Sequence, residues 1–559
     1  MRADADGSGN LFSLPLREIV LLSTLVAVFA TLVASAVNGY AGAGLWYLVL
    51  RDLRSFLPFS FLIVTGLFLL SMAGRRIAPG RFARRRFSPG GIVKYGFWPC
   101  LAVCGAALIL SPFLRRDSQG KNILLITIDT LRADHLSVYG YERLTSPHMD
   151  DFARKSLVFT NAIVQWPKTS PSFASMLTSM YSGQAGVTGP RQRLPRRRTT
   201  TAEALSNAGY TTAAVVGNGN LGAGFTFDQG FSTYVEAWKD HSVPDDENCD
   251  ATHITDLALE TLESIRGKGD FFFWVHYVDP HAPYSPPDPF REMFVNDAFY
   301  AEQKIRLNEG FNEDIGGCPL RSRLGENDNL HYYIAEYDAE IRYCDSQIQH
   351  LFAYLDQHDL WQTTMVILTS DHGESLGEHN YYFEHGKLSY DTTLRVPFIV
   401  RAPGCRVGTV DMPIALLDLH PTILEYAGLG AGREAEGESL LAMLHDGGAG
   451  GQRWVFAQAG GEREQSWAVR DNERKLIYVP SEKYRNLMKG ALYELYDLRS
   501  DPGETLNLFA PGDTAALELK RELDQWVARQ DGKTAQLRNQ LDADDESTEE
   551  NLKALGYIE

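Results

Sequence analysis

Three side chains in this sequence have the character of ligands for a divalent cation: the carboxylates of Asp129 and Asp371 and the imidazole of His372. Carboxylate oxygens are hard donors and an imidazole nitrogen is borderline, so the set suits one divalent ion, Zn²⁺, Mn²⁺, Mg²⁺ or Ca²⁺. Three protein ligands leave positions open for a nucleophile and a substrate oxygen. Taken singly, each residue has an ordinary alternative as a helix cap or a satisfied polar group. Position favours chemistry. Asp129 follows the apolar run Asn122–Ile128, Asp371 and His372 follow Met365–Thr369, and Asp279 and His281 follow Phe271–Tyr277. A second cation beside Asp279, His281 and His385 is a further option.

To converge, those residues need a scaffold that brings run ends together. From Asn122 onward, short β-branched or aromatic runs alternate with longer helical stretches, the pattern of an α/β fold with a mainly parallel sheet flanked by helices. Thr212–Val216 and Pro397–Arg401 are the other candidate strands. Open α/β sheets bind ligands beyond the carboxyl ends of their strands, which is where these residues fall. The expected organisation is an N-terminal segment over 1–116, a catalytic domain over 117–445, a smaller α+β subdomain over 446–535 and an acidic tail over 536–559. The subdomain opens with the strand-like Trp454–Gln458 and closes with the amphipathic Ala515–Arg529.

Charge is distributed unevenly along the 559 residues. Residues 1–121 carry a net +9, leaving −27 for the remainder of a chain whose total is −18. So acidic a domain repels nucleic acid, and it attracts an anionic substrate only where a cation reverses the local field. Ile19–Val37, Ser55–Gly74 and Tyr95–Leu114 are apolar runs that approach the ~20 residues a helix needs to cross hydrocarbon. Alternatively, the first is a signal peptide, with Ala34-Ser35-Ala36 as its cleavage site. Arg75, Arg76, Arg81, Arg84, Arg85, Arg86 and Lys94 lie between the second and third runs. By the positive-inside rule that loop stays in the cytoplasm. The expectation is therefore a multi-pass anchor in the cell (inner) membrane, with the lipid bilayer as a partner and the catalytic domain on the periplasmic or extracellular side. Cys249, Cys318, Cys344 and Cys405 have no metal-ligand spacing and read equally as disulfide partners or as free thiols.

Longer blocks carry a family resemblance. Asn122-Ile-Leu-Leu-Ile-Thr-Ile-Asp-Thr-Leu-Arg-Ala-Asp-His135 resembles the opening strand and metal aspartate of sulfatases, a branch of the alkaline phosphatase superfamily, with Thr130 where their second acidic residue stands. Thr169-Ser-Pro-Ser-Phe-Ala-Ser-Met-Leu-Thr178 resembles the sulfatase nucleophile motif Cys/Ser-x-Pro-Ser-Arg. In that family the first residue becomes formylglycine; Thr169 cannot follow that chemistry, and Phe173 replaces the motif arginine. Threonine serves as nucleophile in phosphodiesterases and phosphoethanolamine transferases of the same superfamily, where a cation stabilises its alkoxide. Thr169 is thereby implied both as nucleophile and as a neighbour of the metal.

Ser370-Asp-His-Gly-Glu-Ser-Leu-Gly-Glu378 resembles the second pair of metal ligands, especially those of the transferases. His385 in Glu384-His-Gly-Lys387 matches a substrate-side histidine, and Lys387 matches a lysine that sulfatases hold on the ester oxygens. His281, in Val278-Asp-Pro-His-Ala-Pro-Tyr284, matches a histidine that protonates the leaving oxygen or holds a nonbridging one. Where sulfatases carry Gly-Lys-Trp-His-Leu-Gly, this chain has Gly217-Asn-Gly-Asn-Leu-Gly222, so neutral Asn218 and Asn220 take two substrate-binding positions. The C-terminal Leu492-Tyr-Glu-Leu-Tyr-Asp-Leu-Arg-Ser-Asp-Pro-Gly-Glu504 is also sulfatase-like, and the resemblance spans about residues 122–530. It implies a metal-dependent hydrolase or transferase of an anionic ester; the departures from the sulfatase pattern favour a phosphoester over a sulfate ester, and the expected membrane anchor points to a lipid or envelope glycan. The alternatives are a sulfatase without formylglycine and a non-catalytic membrane scaffold.

Overall fold

The computed structural model describes residues 121–533 apart from 241–248, 298, 448–451, 462–463 and 489. The three apolar runs within 1–116 and the acidic tail lie outside the described residues. Among the described residues no helix is long and apolar enough to cross a membrane.

The principal sheet has nine strands: β1 (Asn122–Ile128), β2 (Leu157–Ile163), β3 (Thr211–Val216), β4 (Thr233–Glu236), β5 (Phe271–Tyr277), β6 (Thr364–Ser370), β9 (Arg395–Arg401), β10 (Gly408–Val410) and β11 (Ile414–Ala415). A two-stranded ribbon, β7 (Ser375–Leu376) with β8 (Tyr382–Glu384), lies between β6 and β9 in the chain. Spatial order is β10-β2-β9-β6-β1-β5-β3-β4, with β11 paired to β2. Every pairing is parallel except the two made by β9, so the sheet is mixed and mainly parallel, as the alternation of runs predicts.

Burial explains the composition of the central strands. All seven residues of β1 are buried, because helices cover both faces and no alternation with polar residues is needed. Ile123 and Leu125 point into one apolar cluster, Leu124, Ile126 and Ile128 into the other. The first cluster takes α2 (Thr169–Thr178), α3 (Thr201–Asn207) and α6 (Leu419–Tyr426). The second takes α1 (Pro147–Ala153), α4 (Ala251–Ile265) and the long α5 (Leu330–Gln357).

The C-terminal segment forms an antiparallel sheet in the order β12 (Val455–Gly461), β13 (Glu464–Arg470), β14 (Arg474–Tyr478), β15 (Tyr493–Asp497). Residues 514–533 are helical and bury Leu519, Leu523 and Trp526. These side chains join the same apolar cluster as α2, so the subdomain is packed onto the face of the principal sheet that α2 covers. Cys249, Cys318, Cys344 and Cys405 are all free thiols.

Candidate active site

β1 and β6 are adjacent and parallel, with Ile128 opposite Ser370. One residue further on, each chain leaves the sheet at its carboxyl edge, and this register sets Asp129 beside Asp371 and His372. All three are fully buried. One ligand atom from each lies within 4.8 Å of the others. His372 Nε2 is 3.7 Å from Asp129 Oδ1 and 3.3 Å from Asp371 Oδ2.

Two details show that the group fits a cation. Asp129 Oδ1 and Asp371 Oδ2 are buried without a hydrogen-bond partner, a costly state for carboxylate oxygens unless a positive charge joins them. His372 Nδ1 lies 3.1 Å from the Gly373 carbonyl, which can only accept, so Nδ1 carries the proton and Nε2 presents its lone pair to the cluster. Burial also pushes the His372 pKa well below its ordinary value, which keeps the ring neutral. Burial drives Asp371 upward, and the Asp129 charge adds to it. Asp129 itself is drawn down: burial works against this, but the neighbouring imidazoles, His276 foremost, prevail.

The remaining Asp129 oxygen is held in place. Asn218 Nδ2 donates to Asp129 Oδ2 at 2.7 Å, and His276 Nε2 stands 3.6 Å from the same oxygen. Thr127 Oγ1 contacts His276 Nδ1 at 3.0 Å and accepts from Trp274 Nε1 at 2.8 Å. Phe173, in the position of the motif arginine, is buried against the rings of Trp274 and His276 at 4.9 and 5.0 Å. Thr130 has φ 55°, unusual for a β-branched residue. Tyr337 braces it from α5 by donating to the Thr130 carbonyl at 2.8 Å while accepting from Arg132 N at 3.0 Å.

Thr169 is the first residue of α2, reached through the extended Lys168. Its Oγ1 lies 3.5 Å from His372 Nε2, and the residue as a whole is 5% exposed. Ser172 locks the helix to the metal strand by donating to the Asp371 carbonyl at 2.7 Å. The turn after His372 requires glycine, because a Cβ on Gly373 would meet the Thr392 carbonyl oxygen at 2.2 Å. Arg132 joins the first block to the third, donating to the Glu374 carbonyl at 3.1 Å and to Glu378 Oε1 at 2.8 Å.

A cleft of about 300 Å³ opens beside this centre, lined by His281, Phe311, Arg321, Glu374, Phe383 and Glu384 among others. His281 Nδ1 lies 2.6 Å from the Ala282 carbonyl, so that nitrogen is the donor and Nε2 is left for a ligand. The His385 ring is 4.1 Å from His372 and 5.3 Å from His281, centroid to centroid. Burial alone would lower the His385 pKa, but the Glu374 and Glu384 carboxylates raise it to about 9, making it a cation at neutral pH.

The structure thus brings together Asp129, Thr169, Asp371, His372, His281 and His385, with Asn218 on Asp129. Other residues depart from the sequence expectations. Lys387 gives its ammonium to Asp314, bonding both carboxylate oxygens, one at 2.6 Å. Asn218 spends its amide on Asp129 rather than presenting it to substrate, and Asn220 contributes its backbone, accepting from Ser170 Oγ at 3.2 Å. The second metal cluster is not formed: Asp279 accepts from Ala251 N at 2.7 Å at the start of α4 and faces Glu340. Among the described residues the Asp129, Asp371, His372 group is the one cluster of this kind. Residues missed from sequence are His276, Tyr337, Arg321 and Glu374. Only Glu374, inside Asp371-His-Gly-Glu374, carried a local signal.

Fold and site together define an α/β protein with one buried Asp/Asp/His group fit for a divalent metal at the strand ends, beside the threonine that opens α2. The family model described as Sulfatase matches residues 121–429, and that described as N-sulphoglucosamine sulphohydrolase, C-terminal, matches 377–531. The chain belongs to the sulfatase family and is an ester hydrolase of the alkaline phosphatase superfamily. It is 28% identical over 488 residues to the multifunctional alkaline phosphatase superfamily protein PehA of Trinickia caryophylli, covering 72% of this chain and 94% of that protein. It is 24% identical over 446 residues to an arylsulfatase of Clostridium perfringens, covering 69% and 90%. Its fold is shared with a phosphonate monoester hydrolase of Silicibacter pomeroyi at TM-score 0.59 and 22% identity, covering 74% of this chain and 96% of that one.

Proposed function

We propose that this enzyme cleaves phosphate esters through Thr169 as a covalent nucleophile, on the outer face of a membrane in which residues 1–116 are its anchor. The observation that carries the reading is the seat of Thr169 Oγ1, 3.5 Å from His372 Nε2 at the head of α2 and next to two carboxylates that each keep one unpartnered oxygen. A helix N-terminus adds its partial positive charge to the same point.

Asp129, Asp371 and His372 would hold the cation, with Thr169 beside it. When bound, such an ion lowers the proton affinity of a neighbouring hydroxyl and offsets charge on the ester. The rest belongs to the chain. Thr169 Oγ1, its proton lost to solvent, bonds to phosphorus as the bond from phosphorus to the leaving oxygen breaks. His281, entering as imidazolium with Nδ1–H held by Ala282, gives its Nε2 proton to that oxygen. The neutral ring then takes a proton from the water that attacks phospho-Thr169, and phosphate is released as Thr169 Oγ1 takes back a proton from solvent. An acceptor hydroxyl in place of water would make the same site a transferase. Cationic His385 sits where it can bind a nonbridging oxygen.

Phosphate is favoured over sulfate because the resources of a formylglycine site are missing. Thr169 has no aldehyde hydrate, Phe173 brings no guanidinium, and Asn218 and Asn220 are neutral. The sulfatase reading draws on the relatives, which include an N-acetylglucosamine-6-O-sulfatase of Bacteroides thetaiotaomicron. Purified enzyme and Thr169→Ala should be compared on aryl sulfate, phosphate monoester and phosphodiester. Phosphoester turnover that disappears in the variant is expected, and sulfate-ester turnover that dominates and survives it would end the mechanism. Stoichiometric divalent metal in the purified protein separates an enzyme from a scaffold.

A further inference from the structure

Lys168 directly precedes the nucleophile, and its stem runs across Gly386, between His385 and Lys387. A Cβ on Gly386, whose φ is +90°, would stand 2.3 Å from Lys168 Cε and 2.6 Å from Cγ, so the absence of a side chain there makes the channel in which the lysine lies. The charges that act on it are Glu384, Lys387 and Asp314. Those groups are already matched. Lys387 takes Asp314, and Arg321 takes Glu384 at 2.8 Å with Asp314 at 3.4 Å. The neighbouring His385 takes Glu374 at 3.2 Å. The Lys168 ammonium has no ion-pair or hydrogen-bond partner among the described residues. Three cations, Lys168, Lys387 and Arg321, therefore meet two carboxylates, Asp314 and Glu384, at the wall of the cleft that Arg321 and Glu384 line.

An unmatched, half-buried ammonium is unexpected in a domain of strong net negative charge. It is also set apart from the metal cluster, since its neighbours are the cleft carboxylates and not Asp129 or Asp371. A negative charge reaching it would come from the part of the substrate that occupies the cleft. We infer that Lys168 is a specificity residue that receives a second anionic group, a carboxylate, sulfate or phosphate on the organic part of the ester, at the cleft wall formed with Arg321. The preferred substrate is then an ester carrying at least one further negative charge near the scissile bond. This rests on the cleft being where the substrate's organic part sits, as in the proposed function, but needs no particular nucleophile.

The test is a binding comparison on the full-length protein, titrating inorganic phosphate and phosphonoacetate, which adds a carboxylate to a phosphonate, against wild type, Lys168→Met and Lys168→Arg. Wild type should bind phosphonoacetate at least tenfold more tightly than phosphate. Lys168→Met should lose most of that advantage while phosphate binding changes less than threefold, and Lys168→Arg should keep it. Equal loss for both ligands, an unchanged advantage in Lys168→Met, or no advantage in wild type would each overturn the inference. Should Lys168→Met fail to fold, Lys168→Gln, closer to lysine in shape and polarity, carries the same comparison. Thr169→Ala is titrated alongside and should keep the advantage while losing turnover. Turnover that persists in Thr169→Ala counts against the nucleophile and leaves the Lys168 result to stand by itself.

Discussion

The two sides of the site are built in different ways. On the metal side, Asp129, Asp371 and His372 sit one or two residues beyond adjacent parallel strands, fully buried, with backbone fixed by sheet register and by Ser172 and Gly373. On the cleft side, His281, His385, Lys387, Arg321 and Glu384 sit on turns and on the short β7–β8 ribbon, and ion pairs hold His385 to Glu374, Lys387 to Asp314 and Arg321 to Glu384. Sheet register is costly to alter, whereas ion pairs between loop and ribbon side chains can be exchanged without moving the sheet. The difference assigns tasks: the metal side fixes where chemistry happens, and the cleft side decides which ester reaches it.

Substitutions can break that division, beginning with the metal side. Asp371→Asn should abolish stoichiometric metal and lower kcat/KM by roughly a thousandfold or more, as removal of a metal ligand does; a variant with full metal by elemental analysis would refute the cluster. Chelation of the wild type should give the same loss together with a lower Tm, restored by adding one divalent ion, because a ligand that binds only the folded state stabilises it. If Tm does not move on chelation, no ion is held there.

His281→Gln tests the cleft side at its most chemical point. It should cut kcat by about 10²–10⁴-fold with metal content unchanged, the range for loss of a general acid. An ester with a leaving group that needs no proton should lose far less, and equal losses on both esters would contradict the acid role. Asn218→Ala should weaken metal binding by about 10–100-fold through the freed Asp129 oxygen, measured by competition with a chelator; normal metal affinity with a raised KM would return Asn218 to substrate binding. Lys387→Met should change kcat/KM by less than about tenfold, since its ammonium is spent on Asp314 and not on the reacting atoms, and the cost should fall on Tm, because the buried Asp314 carboxylate loses a cation. A loss as large as that of Asp371→Asn would restore Lys387 to the catalytic group.

Much of the metal side was legible in sequence, for a physical reason. A parallel strand buried on both faces writes itself as an uninterrupted apolar run, and an acidic residue just past such a run has few structural uses. β1 and β5 accordingly match their expected bounds, and β6 and β9 differ by one or two residues at their ends. The cleft side was far less legible. Lys387 read as a substrate cation because its place in the chain suggested it, but nothing local announces Asp314, which comes from a distant loop. Asp279 read as a ligand for a second cation, yet its carboxylate turns to the start of α4.

The sequence by itself determined the strands, the acidic and histidine residues at their ends and the threonine at the head of its helix, because each depends on short-range pattern. Tertiary structure alone decided which charges are already matched and which are left over. Asn218 and His276 serve Asp129, Lys387 serves Asp314, and Lys168 serves no one among the described residues. Electrostatic partnership is settled by distance in space, and the chain's own order carries no record of it.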